Sequence, residues 1–319
     1  MVNPLRPAIL AASSSPRMKR LLTGFPVTAQ IVRRFVAGET REELLAVAAA
    51  LSAGGRMVSV DFLGEYTTDR EQARDTLDEY CALIRELAAL ERPMLPGTTA
   101  QPVEVSVKLS ALGLTLPVDG PAVATENLHL LCAEAARCAV WVTVDAEDHT
   151  TTDATLATVR ALRAEFPWLG AVLQAYLRRT EADCRAFAGA GSRIRLCKGA
   201  YREPHDVAFR RASEVTASYL RCLEILMRGS GYPMVASHDP EVLAAAERLV
   251  AGTGRASGDF EYQMLYGIRD GEQMRLARAD NAVRVYVPYG SQWYGYLTRR
   301  LAERPANLTF FLRAVASNS

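Results

Sequence analysis

From residue 56 to residue 303, short β-branched runs alternate with segments of helical period, and the pair recurs eight times. The runs are Met57 to Phe62, Val103 to Leu109, Val140 to Val144, Ala171 to Gln174, Arg193 to Cys197, Met234 to Ala236, Asp259 to Gln263 and Val283 to Val287. The intervening helical segments are Arg70 to Leu90, Val123 to Arg137, Asp153 to Ala164, Glu181 to Ala188, Asp206 to Met227, Pro240 to Ala251, Gly271 to Ala279 and Gln292 to Ala302. Ser, Thr or Asp often stands near their starts, where a side-chain oxygen can cap orphan amides. An open doubly wound sheet also alternates in this way, but eight units in series favour closure. The repeating part has the roughly 250 residues of an α/β (β/α)8 TIM-type barrel. The 319 residues then divide into an N-terminal helical arm (1–55), a barrel (56–310) and a short C-terminal tail (311–319). In the arm, Leu44, Leu45, Ala48 and Leu51 repeat at helical spacing.

Side chains along a strand point alternately to opposite faces. Val103, Val105 and Val107 oppose Glu104, Ser106 and Lys108, and Val140, Val142 and Val144 oppose Trp141, Thr143 and Asp145. Ile194 and Leu196 oppose Arg193, Arg195 and Cys197, while Val283, Val285 and Val287 oppose Arg284 and Tyr286. In a barrel the apolar set meets the outer helices, so the other set points inward. The expected lumen is polar, with opposite charges from Glu104, Glu261, Arg193 and Arg284.

Composition narrows the function. The 37 Lys and Arg against 36 Asp and Glu leave a net charge of +1, so no bulk field draws nucleic acid or anionic lipid. The six cysteines form no CxxC pair and the four histidines show no ligand spacing, so neither a metal site nor a disulfide framework is expected. In residues 1 to 19 the basic cluster follows the brief apolar run Ala8 to Ala12, the wrong order for a signal peptide. No apolar stretch reaches the ~18 residues of a membrane span.

Barrel enzymes place chemistry where strands end and βα loops begin. Those ends carry Lys108, Asp145, Gln174, Arg195 with Lys198, Ser237 with His238, Gln263 and Tyr286. Singly, each could be a loop cap or a solvated charge; together they form a polar rim. In the last helix Trp293, Leu297 and Leu301 mark a buried stripe, with Arg300 within about 20° of its edge and Arg299 and Glu303 further round. Arg299 and Glu303 can pair at the surface, or the two arginines can fork around a small carboxylate. A lysine at the rim also permits Schiff-base chemistry. The glycines at 252, 254 and 258 precede a strand rather than follow one, so they read as a helix C-cap and loop, not a dinucleotide fingerprint.

Seven stretches occur in order: VSVKLSALG (105–113), VDAED (144–148), LQAYLRR (173–179), RLCKGAYREP (195–204), ASHD (236–239), FEYQMLYGIR (260–269) and VYVPYGSQWYGYLTRRLAERPAN (285–307). Through about residues 60 to 310 the chain resembles the monofunctional bacterial, flavin-dependent proline dehydrogenases. The resemblance implies a distorted (β/α)8 barrel that binds FAD without a Rossmann fold and oxidises L-proline to Δ1-pyrroline-5-carboxylate. Hydride passes from proline C5 to flavin N5 and electrons go on to a quinone. It implies that Lys108, Arg299 and Arg300 hold the proline carboxylate, with Glu65 and Glu303 steadying the arginines. Asp145 falls near the proline nitrogen and Arg195 against the flavin N5 region, while Tyr201, Leu265 and Tyr286 enclose the ring. Ala146, Gln174, Arg195, Lys198, Gly199, Ala200, Ser237 and His238 fall on FAD-contacting positions. Arg202 departs from the aromatic residue of longer bifunctional relatives, and Ser237 with Asp239 replaces Thr and Asn, which implies altered contacts to the FAD tail. Implied partners are proline, a quinone and pyrroline-5-carboxylate dehydrogenase, in a cytoplasmic setting compatible with peripheral membrane contact.

Overall fold

The computed structural model describes residues 32–64, 67–91, 94 and 97–297. Helix α1 (Arg41–Ala53) leads into β1 (Met57–Phe62), α2 (Arg70–Ala88), β2 (Val103–Val107), α3 (Gly120–Arg137) and β3 (Trp141–Val144). A 3-10 turn (His149–Thr151), α4 (Thr152–Leu162), β4 (Gly170–Gln174), α5 (Thr180–Phe187), β5 (Arg193–Cys197) and α6 (Ala212–Arg228) follow. The described chain continues through β6 (Tyr232–Ala236), α7 (Pro240–Thr253), β7 (Glu261–Leu265), α8 (Asp270–Arg278) and β8 (Val283–Tyr289). All eight strands are parallel and close into one barrel in sequence order, β8 pairing with β1 from Met57↔Arg284 to Phe62↔Tyr289. Among the described residues no helix is long and apolar enough to cross a membrane.

Local chemistry sets several boundaries. Thr40 and Glu43 form a capping box on α1, and Asp69 and Asp239 cap α2 and α7 through their carboxylates. Gly254, in the left-handed region at φ 70°, ends α7 as the sequence predicts. Strand β7 starts two residues later than its run suggests because Asp259 closes the preceding turn, accepting from Ala256 N–H and Arg255. Helix α6 starts six residues late. The preceding segment is tied to the β4 loop instead, with Phe209 N–H donating to Tyr176 O and an antiparallel bridge joining Leu177 to Ala208.

The valines of β1, β2, β3 and β8 pack against the helices in one buried core. Helix α1 contributes Leu44, Ala48 and Leu51 and packs on β1 and β8. It therefore covers the seam of the wall where a helix following β8 would ordinarily lie. Residues 293–297 sit elsewhere: Trp293, Tyr294, Tyr296 and Leu297 cluster with Val32, Phe35, Val36 and Leu63 beyond the carboxyl ends of β1 and β8. Simple counting of eight units misses this exchange, because helical period marks an apolar face without saying which seam it fills. The 32–38 segment approaches that rim closely. Ala37 N–H donates to Pro288 O, and a Cβ on Gly267, at φ 72°, would lie 1.7 Å from Arg34 O.

Candidate active site

Inside the barrel the polar faces meet as alternation requires. Glu104, fully buried, accepts from Arg193 at 2.6 Å, Arg195 at 2.7 Å and Thr143 at 3.1 Å. Arg284 Nε donates to Glu261 at 2.7 Å and lies 3.8 Å from Glu104. Burial alone would raise the Glu104 carboxyl, but Arg284, Arg193 and Arg195 together hold it well below the usual carboxylate range.

Arg195 is the centre of this network and is 4% exposed. Its Nε donates to Gln263 Oε1 (2.6 Å), Nη1 to Ser106 Oγ (2.7 Å) and Asp145 Oδ1 (2.8 Å), and Nη2 to Ser59 Oγ (2.9 Å) and Glu104 Oε1 (2.7 Å). A guanidinium has five N–H donors, and all five are committed. Burial works against its charge, yet Asp145 and Glu104 raise its pKa further. Toward a ligand it is a fixed cation, with its ring-like plane 5.3 Å from the centroid of Tyr286.

One layer nearer the rim, Asp145 Oδ2 accepts from Tyr286 OH at 2.8 Å and Oδ1 from Ser106 Oγ at 2.8 Å. Burial first, and the Asp145 carboxylate second, push the Tyr286 hydroxyl well above its usual range, so it remains a neutral donor. Lys108 Nζ donates to both oxygens of Asp61, at 2.8 and 3.0 Å, and lies 3.7 Å from Asp145. Burial raises the Asp61 carboxyl and Asp145 adds to this, against the opposing pull of Lys108. Asp61 and Ser59 were not singled out from the sequence. The signal was the same alternation, since both oppose Val58 and Val60 in β1.

The other strand ends continue the arc. Gln174 Nε2 donates to Glu147 O, Lys198 Nζ to Asp239 Oδ2 at 2.6 Å, and Leu265 N–H to His238 Nε2 at 2.9 Å. Ser237 Oγ accepts from Asp239 N–H. Gly199, at φ 102°, lies against Tyr176, whose Cδ1 would be 2.2 Å from a Cβ there. Tyr201 packs with Tyr176, Leu177 and Ala208, Leu265 ends β7, and Ala146 and Ala200 are half-buried in the loops after β3 and β5. Glu65, Arg299, Arg300 and Glu303 lie outside the described residues.

Residues 44–313 match the family described as Proline dehydrogenase. The chain belongs to the proline dehydrogenase family. It is 35% identical over 283 residues to Proline dehydrogenase 1 of Bacillus subtilis (strain 168), covering 89% of this chain and 90% of that relative. Proline dehydrogenase of Deinococcus radiodurans is 34% identical over 312 residues, 97% of each chain. Among solved structures, proline utilization A (PutA) from Bdellovibrio bacteriovorus, inactivated by N-propargylglycine, superposes with a TM-score of 0.78 at 25% identity. That match covers 86% of this chain and 32% of the PutA chain, so the present barrel spans about a third of that longer polypeptide. Membership in the proline dehydrogenase family makes the chain an oxidoreductase acting on proline.

Proposed function

We propose that the carboxyl-terminal rim oxidises L-proline to Δ1-pyrroline-5-carboxylate with FAD as cofactor and a quinone as final acceptor, the first step of proline degradation toward glutamate. The carrying observation is the Lys108–Asp61–Asp145–Arg195–Tyr286 cluster at the strand ends, buried but for the half-buried Tyr286, set in a chain of this family. The residues present suit a flavin. Arg195 is a fixed buried cation, the Lys198 side chain, paired with Asp239, is 33% exposed, and Gln174, Ser237 and His238 supply polar atoms along the same arc. Ala146, Gly199 and Ala200 complete the set that would hold it. When bound, FAD supplies the two-electron acceptor.

On this reading Lys108, Arg299 and Arg300 bind the substrate carboxylate, Glu65 and Glu303 orient the arginines, and Tyr201, Leu265 and Tyr286 enclose the ring. Asp145 receives the substrate nitrogen. Holding the ring in one orientation supplies much of the barrier reduction. The reading extends to organisation and setting: an arm over 1–55, the barrel over 56–310 and a tail over 311–319, in a cytoplasmic protein that meets quinone at the inner membrane face. Pyrroline-5-carboxylate dehydrogenase would then consume the product.

The first test is an absorbance spectrum of the purified protein before and after proline. Flavin bands that bleach on adding proline, together with proline-dependent reduction of an artificial acceptor dye, are expected. FAD-loaded protein that fails to reduce the dye would overturn the reading. Schiff-base chemistry is disfavoured because Lys108 and Lys198 are both ion-paired, with Asp61 and Asp239. No adduct is therefore expected on borohydride trapping with a carbonyl substrate.

Two further results are expected. Proline must lose its ammonium proton before an imine forms, so kcat/KM should rise with pH as the free amine accumulates; a flat profile would place proton loss outside the slow step. Arg300→Met should raise the KM for proline by about 10- to 100-fold, the scale of a lost charge-assisted pair, while flavin content holds. Equal loss of both would assign the arginine to the fold.

A further inference from the structure

Resting on the reading above, we infer that Glu203 is a positioning residue for the active site, a buried latch that fixes the loop after β5 to the loops after β3 and β4. The side chain is 3% exposed and carries no cation within its reach among arginines or lysines of the described residues. It is instead satisfied by two neighbouring loops. Oε1 accepts from His149 N–H at 3.0 Å and from Tyr176 OH at 3.0 Å, and Oε2 meets His149 Nδ1 at 2.5 Å. A carboxylate only accepts, so the imidazole proton of this contact sits on Nδ1.

The position of the three partners gives the latch its consequence. Glu203 lies two residues beyond Tyr201 and four beyond Gly199, in the loop that also carries Lys198 and Ala200. His149 lies four residues beyond Asp145, in the loop that carries Ala146. Tyr176 links both: its ring fills the space beside Gly199, its N–H donates to Lys198 O, and its hydroxyl donates to Glu203. One carboxylate thus sets the distance between the residue assigned to the substrate nitrogen and the loop assigned to the ring and cofactor. Glutamine would supply one accepting oxygen and a donating NH2 where three donors converge, so at least one contact is lost and a donor faces a donor.

The test compares wild type, Glu203→Gln, Tyr176→Phe and the double variant as isolated holoenzymes, well below their unfolding temperatures. Glu203→Gln should raise the KM for proline about tenfold, with kcat within about threefold, as expected for loss of hydrogen bonds to a charged group. Tyr176→Phe should give a smaller change in the same direction, and the double variant should resemble Glu203→Gln alone because both remove the same contact. Hydrogen exchange read by mass spectrometry should rise in residues 198–203 of Glu203→Gln. A KM within twofold of wild type, a double variant whose effects simply multiply, or unchanged exchange would each overturn the latch. If Glu203→Gln fails to fold, Tyr176→Phe and His149→Ala carry the same readouts. A wild type that does not oxidise proline would overturn the proposed function instead, and the exchange measurement would still decide the latch.

Discussion

Glu104→Gln is expected to lower stability at neutral pH by about 3–5 kcal/mol, the usual consequence of removing one partner from a buried ion network. Glu104 lies within hydrogen-bond distance of Arg193 and Arg195 and 3.8 Å from Arg284, and all three guanidiniums are at most 5% exposed. Glutamine keeps the shape but removes the negative charge that faces three cations, and it turns N–H donors toward other donors. Since whole domains are stable by only about 5–15 kcal/mol, the loss should be plain as a lower urea midpoint. The pH dependence has a definite sign. Glu104 titrates below the ordinary carboxylate range, so its stabilisation is fully present above its unfolded value, about 4.3 for a glutamate, and is lost as pH falls toward the folded value. Wild type should therefore lose stability between about pH 4 and 2 more steeply than Glu104→Gln. An unchanged neutral midpoint in the variant would mean that the three arginines find their balance in Glu261 and the backbone carbonyls alone.

The same residues explain how much of the fold and site could be read in advance. Period-two alternation in β2, β3, β5 and β8 places Glu104, Asp145, Arg195 and Tyr286 inside the barrel before any distance is known, and the distances agree. Alternation applies equally to Asp61, but a lone acid in a mostly apolar run does not announce its partner, and Lys108 lies 47 residues away. Glu203 is less legible still. It sits in a loop with no periodicity, and its partners are 54 and 27 residues distant, brought together by the parallel pairing of β3, β4 and β5. Docking is the other illegible quantity. The spacing of Leu44, Ala48 and Leu51 predicts an apolar helical face, whereas its place over the β8–β1 seam depends on which strands close the barrel. Boundaries shift for local reasons of the same kind, as where Phe209 spends its N–H on Tyr176 and delays α6.

The largest catalytic effect is expected at Arg195. Arg195→Met should lower kcat/KM for proline by about 10²–10³-fold, the scale found when a fixed electrostatic group is removed from a site. In this protein the charge is held without slack, because each of the five N–H donors has its own acceptor: Ser59 on β1, Ser106 and Glu104 on β2, Asp145 at the end of β3, and Gln263 on β7. Methionine therefore removes a cation and also leaves Asp145 without its closest positive partner, since Lys108 stands farther off at 3.7 Å. Arg195→Lys separates the two contributions. It restores one positive charge but offers three donors in place of five, so Ser59, Ser106, Gln263, Asp145 and Glu104 cannot all be satisfied. If charge alone matters, lysine should recover most of the lost rate; if the fixed geometry matters, its kcat should stay within about tenfold of the methionine variant. The network favours the second outcome, measured by proline-dependent dye reduction alongside thermal unfolding at one pH. A methionine variant that is folded and retains the wild-type kcat/KM would remove Arg195 from the chemistry and leave it only its place in the lumen.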